Sequence, residues 1–126
     1  MDFNLTEQQL MMQKLFREVA QNEVKENAAD VDENERFPKE SVEVMRQAKM
    51  LGIPYSREYG GAGADYLCYI LAIEELSKTC ATSGVVLSAH TSLGTWPIAQ
   101  FGTEEQKQRF LTDLCTGKNL CFCSSV

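Results

Sequence analysis

Thr6-Glu7-Gln8-Gln9 followed by Met12, Leu15, Phe16 and Val19 is the first clear alternation of polar and apolar positions in the chain. The Thr6 hydroxyl is spaced to accept from the Gln9 amide while the Gln9 side chain reaches back, with Leu5 and Leu10 flanking the box as a hydrophobic staple. The apolar series recurs at helical spacing opposite Lys14, Arg17 and Glu18, so it predicts a helix that begins after Thr6 and fades near residue 27. Pro38 suits the first position of a second helix, with Val42, Met45 and Ala48 on its buried face and Gly52 as its left-handed stop. Asp65 caps a third helix reaching about Lys78. Its Leu67, Tyr69, Ile70, Leu71, Ala72, Ile73 and Leu76 leave little polar surface, which predicts a helix enclosed on all sides.

Thr82 or Ser83 is the expected cap of a fourth helix, running through Val85, Val86, Leu87 and Ala89 toward Ile98 and Phe101. Pro97 removes one backbone donor and crowds the Leu93 carbonyl, beside Gly94, so a kink or break is expected there. Thr103-Glu104-Glu105-Gln106 repeats the capping box for a fifth helix, which presents Phe110, Leu111 and Leu114 and closes near Gly117. Five helices without a strand pattern predict an all-α bundle with short connections. A chain of 126 residues fits one such domain.

Charge narrows the function classes. The net charge of −6 opposes direct binding to nucleic acid or an anionic membrane, both of which reward dense Lys and Arg. Eight carboxylates between Glu23 and Glu43 face only Lys25, Arg36 and Lys39 and read as a solvated surface. Glu74 and Glu75 interrupt the longest apolar run, so no membrane span is expected. The N-terminus has neither a secretory nor a presequence pattern, and a cytoplasmic location is the resulting expectation.

The residues that could carry chemistry read as structural. Five cysteines in an odd set suggest reduced thiols, with Cys68, Cys80 and Cys115 packed as small core residues. Cys121 and Cys123 form C-x-C without a second ligand pair, so no metal is expected. The loop Gly60-Gly61-Ala62-Gly63 lacks the strand, Lys and Ser or Thr of a phosphate loop, and it reads as a reversal between helices two and three. The four tyrosines around it, Tyr55, Tyr59, Tyr66 and Tyr69, read as packing over that turn. His90 has no triad partner and is expected to pack between helices. Glu74, Glu75, Glu104 and Glu105 read as helix-surface or capping residues.

From Leu51 onward the words GIP, EYGG-x-G, EEL-S, SAH-TSLG followed by WPI, and FGT-EEQK-x-x-FL resemble the acyl-CoA dehydrogenases, closest to the short-chain, butyryl-CoA type. With the LTEQQ start the resemblance extends over roughly residues 3 to 120. It implies the N-terminal helical domain of that family over residues 1–120, with 121–126 as a divergent tail where a β-domain would begin. Whole enzymes of the family desaturate acyl-CoA between Cα and Cβ, with FAD as hydride acceptor and an electron-transferring flavoprotein as electron partner. The family's flavin motif and catalytic Glu have no counterpart in these residues. The resemblance therefore implies no catalytic residue and no FAD held by this chain alone, and it leaves a truncated or frame-disrupted gene, or a cut chain, as the expected origin. The fourth helix corresponds to the family's closed end of the acyl pocket, which singles out Thr91, Thr95, Trp96 and Ile98, with Trp96 as a plug setting chain length. Plain core packing is the competing reading of those four. A stand-alone interaction module and a small acyl-CoA binder are the alternatives for the whole chain, and an orphaned docking face would drive self-association.

Overall fold

The computed structural model describes residues 2–122; Cys123 of the C-x-C pair and the rest of the tail to 126 lie outside the described residues. Eight α-helical segments, joined in places by π-turns, make five continuous helical bodies and no strand among the described residues. These are α1 (Glu7–Val19) with α2 (Lys25–Glu33), α3 (Lys39–Gln47), α4 (Tyr66–Thr79), α5 (Ala81–Ala89) with α6 (Trp96–Phe101), and α7 (Glu104–Gln106) with α8 (Thr112–Cys115). The all-α bundle expected from the pattern is therefore the architecture.

The capping chemistry decides where the helices start. Thr6 and Gln9 form the reciprocal capping box, with Oγ1 accepting from the Gln9 amide at 3.2 Å. Asp65 accepts from the Cys68 amide at 2.8 Å, and Thr103 with Gln106 closes the second box. The fourth body departs from expectation. Its cap is Cys80, in extended backbone and with no side-chain bond, so helix begins at Ala81 and absorbs both Thr82 and Ser83.

The first helix does not fade near residue 27. A π-turn at Ala20–Val24 carries it on to Glu33, and Ala20, Val24 and Val31 continue the buried stripe beneath the carboxylates. Within that stripe Leu15 is an exception, standing on the exposed side. Arg36 then bridges Asp30 at 2.5 Å and Glu40 at 2.9 Å, tying the end of α2 to the start of α3.

Pro38 sits just before α3 as its cap. The left-handed stop after α3 is Lys49, at φ 56°, and Ala48 is exposed. A side chain in that backbone region costs roughly 1–2 kcal/mol relative to glycine. Gly52 serves another purpose, since a Cβ there would lie 2.8 Å from the Cys115 carbonyl oxygen.

α4 packs between α1 and α5 and carries the heart of the core, with Leu76 and Ala72 fully buried. Phe16, Val24, Met45, Leu51, Ile53 and Leu87 close around it. α4 is not enclosed on all sides, because Tyr66, Leu67 and Ile70 are exposed, next to an α1 that exposes Leu10 and Met11. Glu75 is the second correction on this helix. It is 3% exposed and accepts from both Arg17 Nε at 3.1 Å and Nη2 at 3.0 Å, from Lys78 at 3.0 Å and from Gln13 at 3.3 Å. Those donors hold its carboxyl below the usual range against the opposing pull of burial. Glu74 stays outside and pairs with Lys78 at 2.8 Å.

Candidate functional site: the bent helix and the glycine turn

The helix made of α5 and α6 is irregular next to the Gly94–Pro97 stretch where the sequence predicts a kink or break, and it does not break. A π-turn spans His90–Thr95, and the Trp96 amide reaches back to the Thr91 carbonyl. Thr95 Oγ1 donates to the His90 carbonyl at 2.8 Å, supplying a partner the widened turn leaves available. Pro97 then stands at the start of α6, where its missing N–H costs least.

His90 is completely buried inside this bend. Its Nε2–H donates to the Leu114 carbonyl at 3.0 Å, and Nδ1 accepts from the Cys121 amide at 3.3 Å. That pairing fixes the neutral tautomer, and burial holds the ring below its ordinary value of 6.5. A histidine with both nitrogens engaged is a clamp between two helices and the segment at 121, as the helix-packing reading expects. Gly94 completes the clamp, because a Cβ there would collide with the Cys121 carbonyl.

The glycine loop packs onto the same region. Gly60 and Gly63 adopt φ of 83° and 66°, and Gly61 leaves room for the Tyr55 carbonyl. Tyr55 donates to the Thr91 carbonyl at 2.5 Å, Tyr69 to the Ser88 carbonyl at 3.1 Å, and Tyr59 to Glu104 at 2.6 Å. The hydrogen bond to Glu104, with burial behind it, pushes the Tyr59 hydroxyl up to about 12. Burial raises Cys115 to about 12, and burial with Asp65 raises Cys68 to about 11, so these thiols stay protonated near neutrality.

The four pocket candidates do not converge. Thr91 and Thr95 lie inside the core, and Thr91 Oγ1 has no hydrogen-bond partner there. Trp96 is partly exposed and meets Phe101 edge-on with centroids 5.5 Å apart. Ile98 lines an open apolar cleft of about 430 Å³ with Pro97, Phe101, Gly102, Gln106 and Phe110. Of the three apolar side chains that the fifth helix presents, Phe110 is 43% exposed on the rim of this cleft, while Leu111 and Leu114 are buried. Sequence reasoning missed Phe101 and Gln106 as cleft residues. Their only signal was an apolar side chain following a proline bend and a polar one three residues into a capped helix.

Gln106 is the sole side chain with hydrogen-bonding atoms on that cleft, and its Oε1 already accepts from the Thr103 amide at 2.8 Å. A flavin dinucleotide needs partners for its pyrimidine edge and for two phosphates, so these residues by themselves do not fit it. Among the described residues no group of three His, Cys, Asp or Glu side chains could hold a metal, and no helix is long and apolar enough to cross a membrane.

Likeness to known proteins places this capped bundle in a family. The family model "Acyl-CoA dehydrogenase, N-terminal domain" matches residues 6–118, and the chain belongs to that family. It is 58% identical over 120 residues to the short-chain specific acyl-CoA dehydrogenase of Clostridium acetobutylicum, covering 95% of this chain and 32% of the relative. It is 39% identical over 122 residues to the human mitochondrial short-chain specific enzyme, of which it covers 30%. Among solved structures, butyryl-CoA dehydrogenase from Megasphaera elsdenii superposes with a TM-score of 0.88 at 38% identity, over 95% of this chain and 32% of that one. A chain from a structure of the electron transferring flavoprotein of Acidaminococcus fermentans gives 0.90 at 42% identity, over the same shares. A Bacillus anthracis acyl-CoA dehydrogenase complexed with FAD gives 0.83 at 30% identity, over 94% of this chain and 20% of that one. The chain thus spans about a third of the length of the curated relatives it matches.

Proposed function

We propose that these residues form the N-terminal helical unit of an FAD-dependent acyl-CoA dehydrogenase that desaturates short acyl-CoA thioesters in the cytoplasm and passes electrons to an electron-transferring flavoprotein. The observation that carries the reading is the 58% identity to a short-chain specific enzyme along 95% of this chain. Residues 1–120 would be the helical unit, and 121–126 would be the stretch where a β-domain begins. Acyl-CoA chemistry needs a base and a flavin, and this unit offers neither. Its one histidine is committed to two backbone partners, its buried carboxylate is ion-paired, and burial keeps the Cys68 and Cys115 thiols protonated. Its contribution is shape.

Helix 81–101 would provide the closed end of the acyl pocket, with Trp96 and Ile98 at the surface. Thr91 and Thr95 would act from beneath, holding the bend that aims those two side chains. Each methylene that a bulkier end wall excludes is worth about 0.8 kcal/mol of burial, enough to discriminate chain lengths. The exposed apolar side chains of α1 and α4 would be docking surface, and left uncovered they would drive self-association.

The test is a chimera in which residues 1–120 replace the matching third of the Clostridium acetobutylicum enzyme. The reading expects a folded flavoprotein whose flavin is bleached by butyryl-CoA, and Trp96→Ala in it should shift preference toward longer chains. A soluble chimera that binds flavin yet is not reduced by any acyl-CoA from four to eight carbons, a range set by the volume argument above, would refute it.

A further inference from the structure

Against the glycine turn lies a cleft of about 430 Å³ lined by Arg46, Gln47, Lys49, Arg57, Gly60, Gly61, Cys115 and Thr116. Three of these are cationic and none is a carboxylate, in a chain whose net charge is −6. A second cavity shares Arg46 and Thr116 with it and adds Lys118 and Glu43, extending the basic wall into a trough. Low dielectric walls and an excess of cations over the single carboxylate, Glu43, concentrate small anions in such a trough.

The cations are held there by the fold. The Arg46 stem lies on Gly117, where a Cβ would come within 2.9 Å of its Cγ, and Glu43 grips the guanidinium from the side. Arg57 is laid across Gly63, 3.4 Å from the place a Cβ would occupy, and its Nε donates to the Ala62 carbonyl at 3.3 Å. That leaves both terminal nitrogens of its planar fork to face a ligand. Lys49 occupies the left-handed stop after α3, a place where glycine would be less strained. Among the described residues neither Lys49 nor Arg57 has an ion-pair partner. Gly60 and Gly61 form the remaining edge, with no side chain to keep a ligand off the backbone.

We infer that this trough binds the phosphate groups of a small phosphorylated molecule, with Arg57 and Lys49 as primary contacts and Arg46 joining when Glu43 yields it. Guanidinium forks match phosphate oxygens two at a time, and the compact cleft suits one or two phosphates better than an extended peptide. The site makes no use of the apolar cleft or of the dehydrogenase reading, so it stands or falls separately.

The test is a titration of the full 126-residue chain with inorganic pyrophosphate, followed by amide resonances at constant ionic strength, with sulfate and an acidic peptide as parallel probes. Saturable shifts should centre on Lys49, Gly60, Gly61 and Thr116. Lys49→Gly relieves the backbone strain and keeps the fold, yet it should weaken pyrophosphate about tenfold, as should Arg57→Gln. Glu43→Gln frees Arg46 and should tighten binding several-fold, whereas Lys14→Ala on the distant α1 should change nothing. Shifts that do not saturate, or that are indifferent to Lys49→Gly and Arg57→Gln, would overturn the inference. So would an acidic peptide that binds the same residues more tightly than pyrophosphate.

Discussion

The half of the molecule built on α1, α4 and α5 and the half built on α6 to α8 with the glycine turn solve different problems. In the first, a continuous core of fully buried aliphatic side chains closes around Leu76 and Leu87, with one carboxylate, Glu75, neutralised at its edge. In the second, a small cluster of Tyr55, Tyr59, Leu111 and Cys115 is stitched by hydroxyls to carbonyls and to Glu104, while Trp96, Phe101 and Phe110 remain partly or largely exposed. The first half therefore holds the larger core and the second is held mainly by hydroxyl hydrogen bonds, while both expose apolar side chains.

The sharpest way to break that contrast is a cavity in the first half. Leu87→Ala should cost about 3 kcal/mol, read as a lowered denaturation midpoint, because Leu87 is fully buried and its neighbours cannot collapse into the space. Glu75→Ala should cost less, about 1–3 kcal/mol, since Arg17 and Lys78 are each about half exposed and can turn to water. Its pH signature is specific. The carboxyl is held below its ordinary 4.5, so its stabilisation is full above that pH and is lost as pH falls through the depressed value, and the variant should lose that acid limb.

His90 gives the corresponding signature in the second half. Its folded value lies below 6.5, so the unfolded chain binds the extra proton first and stability falls as pH drops beneath 6.5, by at most about 1.4 kcal/mol per unit. His90→Asn should flatten that slope between pH 6.5 and the depressed folded value while leaving the Glu75 limb in place. Tyr55→Phe should cost about 1 kcal/mol by removing one of the two hydrogen bonds that the Thr91 carbonyl accepts, the other coming from the Trp96 amide. Phe101→Ser, at a side chain 74% exposed, should move stability by no more than about 0.5 kcal/mol yet reduce hydrophobic dye binding and self-association.

Legibility in the sequence divides along the same physical line. Thr6, Asp65 and Thr103 were readable because a cap is local chemistry, complete within four residues. The bend at Pro97 was readable for the same reason. The π-turns at Ala20–Val24 and Lys107–Leu111 were not, because an inserted residue leaves no local mark. Neither was the burial of Glu75, whose partner Arg17 lies 58 residues away. Ile70 and Leu15 misled because an apolar side chain at helical spacing reads alike whether it is buried or exposed. Lys49 misled because nothing in its neighbours announces a left-handed residue, while Gly52 nearby offers the usual signal. For the site, the motif words identified the family, but the divergence of Thr91 and Thr95 from Trp96 and Ile98 depended on the widened helix.

The central proposal is that this unit would supply a wall of the acyl pocket and would not hold FAD by itself. The most direct measurement is the absorbance of the purified chain between 350 and 500 nm after incubation with FAD and desalting, the region where a bound flavin absorbs. The account predicts no retained flavin band. A band that survives desalting in proportion to protein would contradict it, and would place cofactor contacts on the surfaces described above.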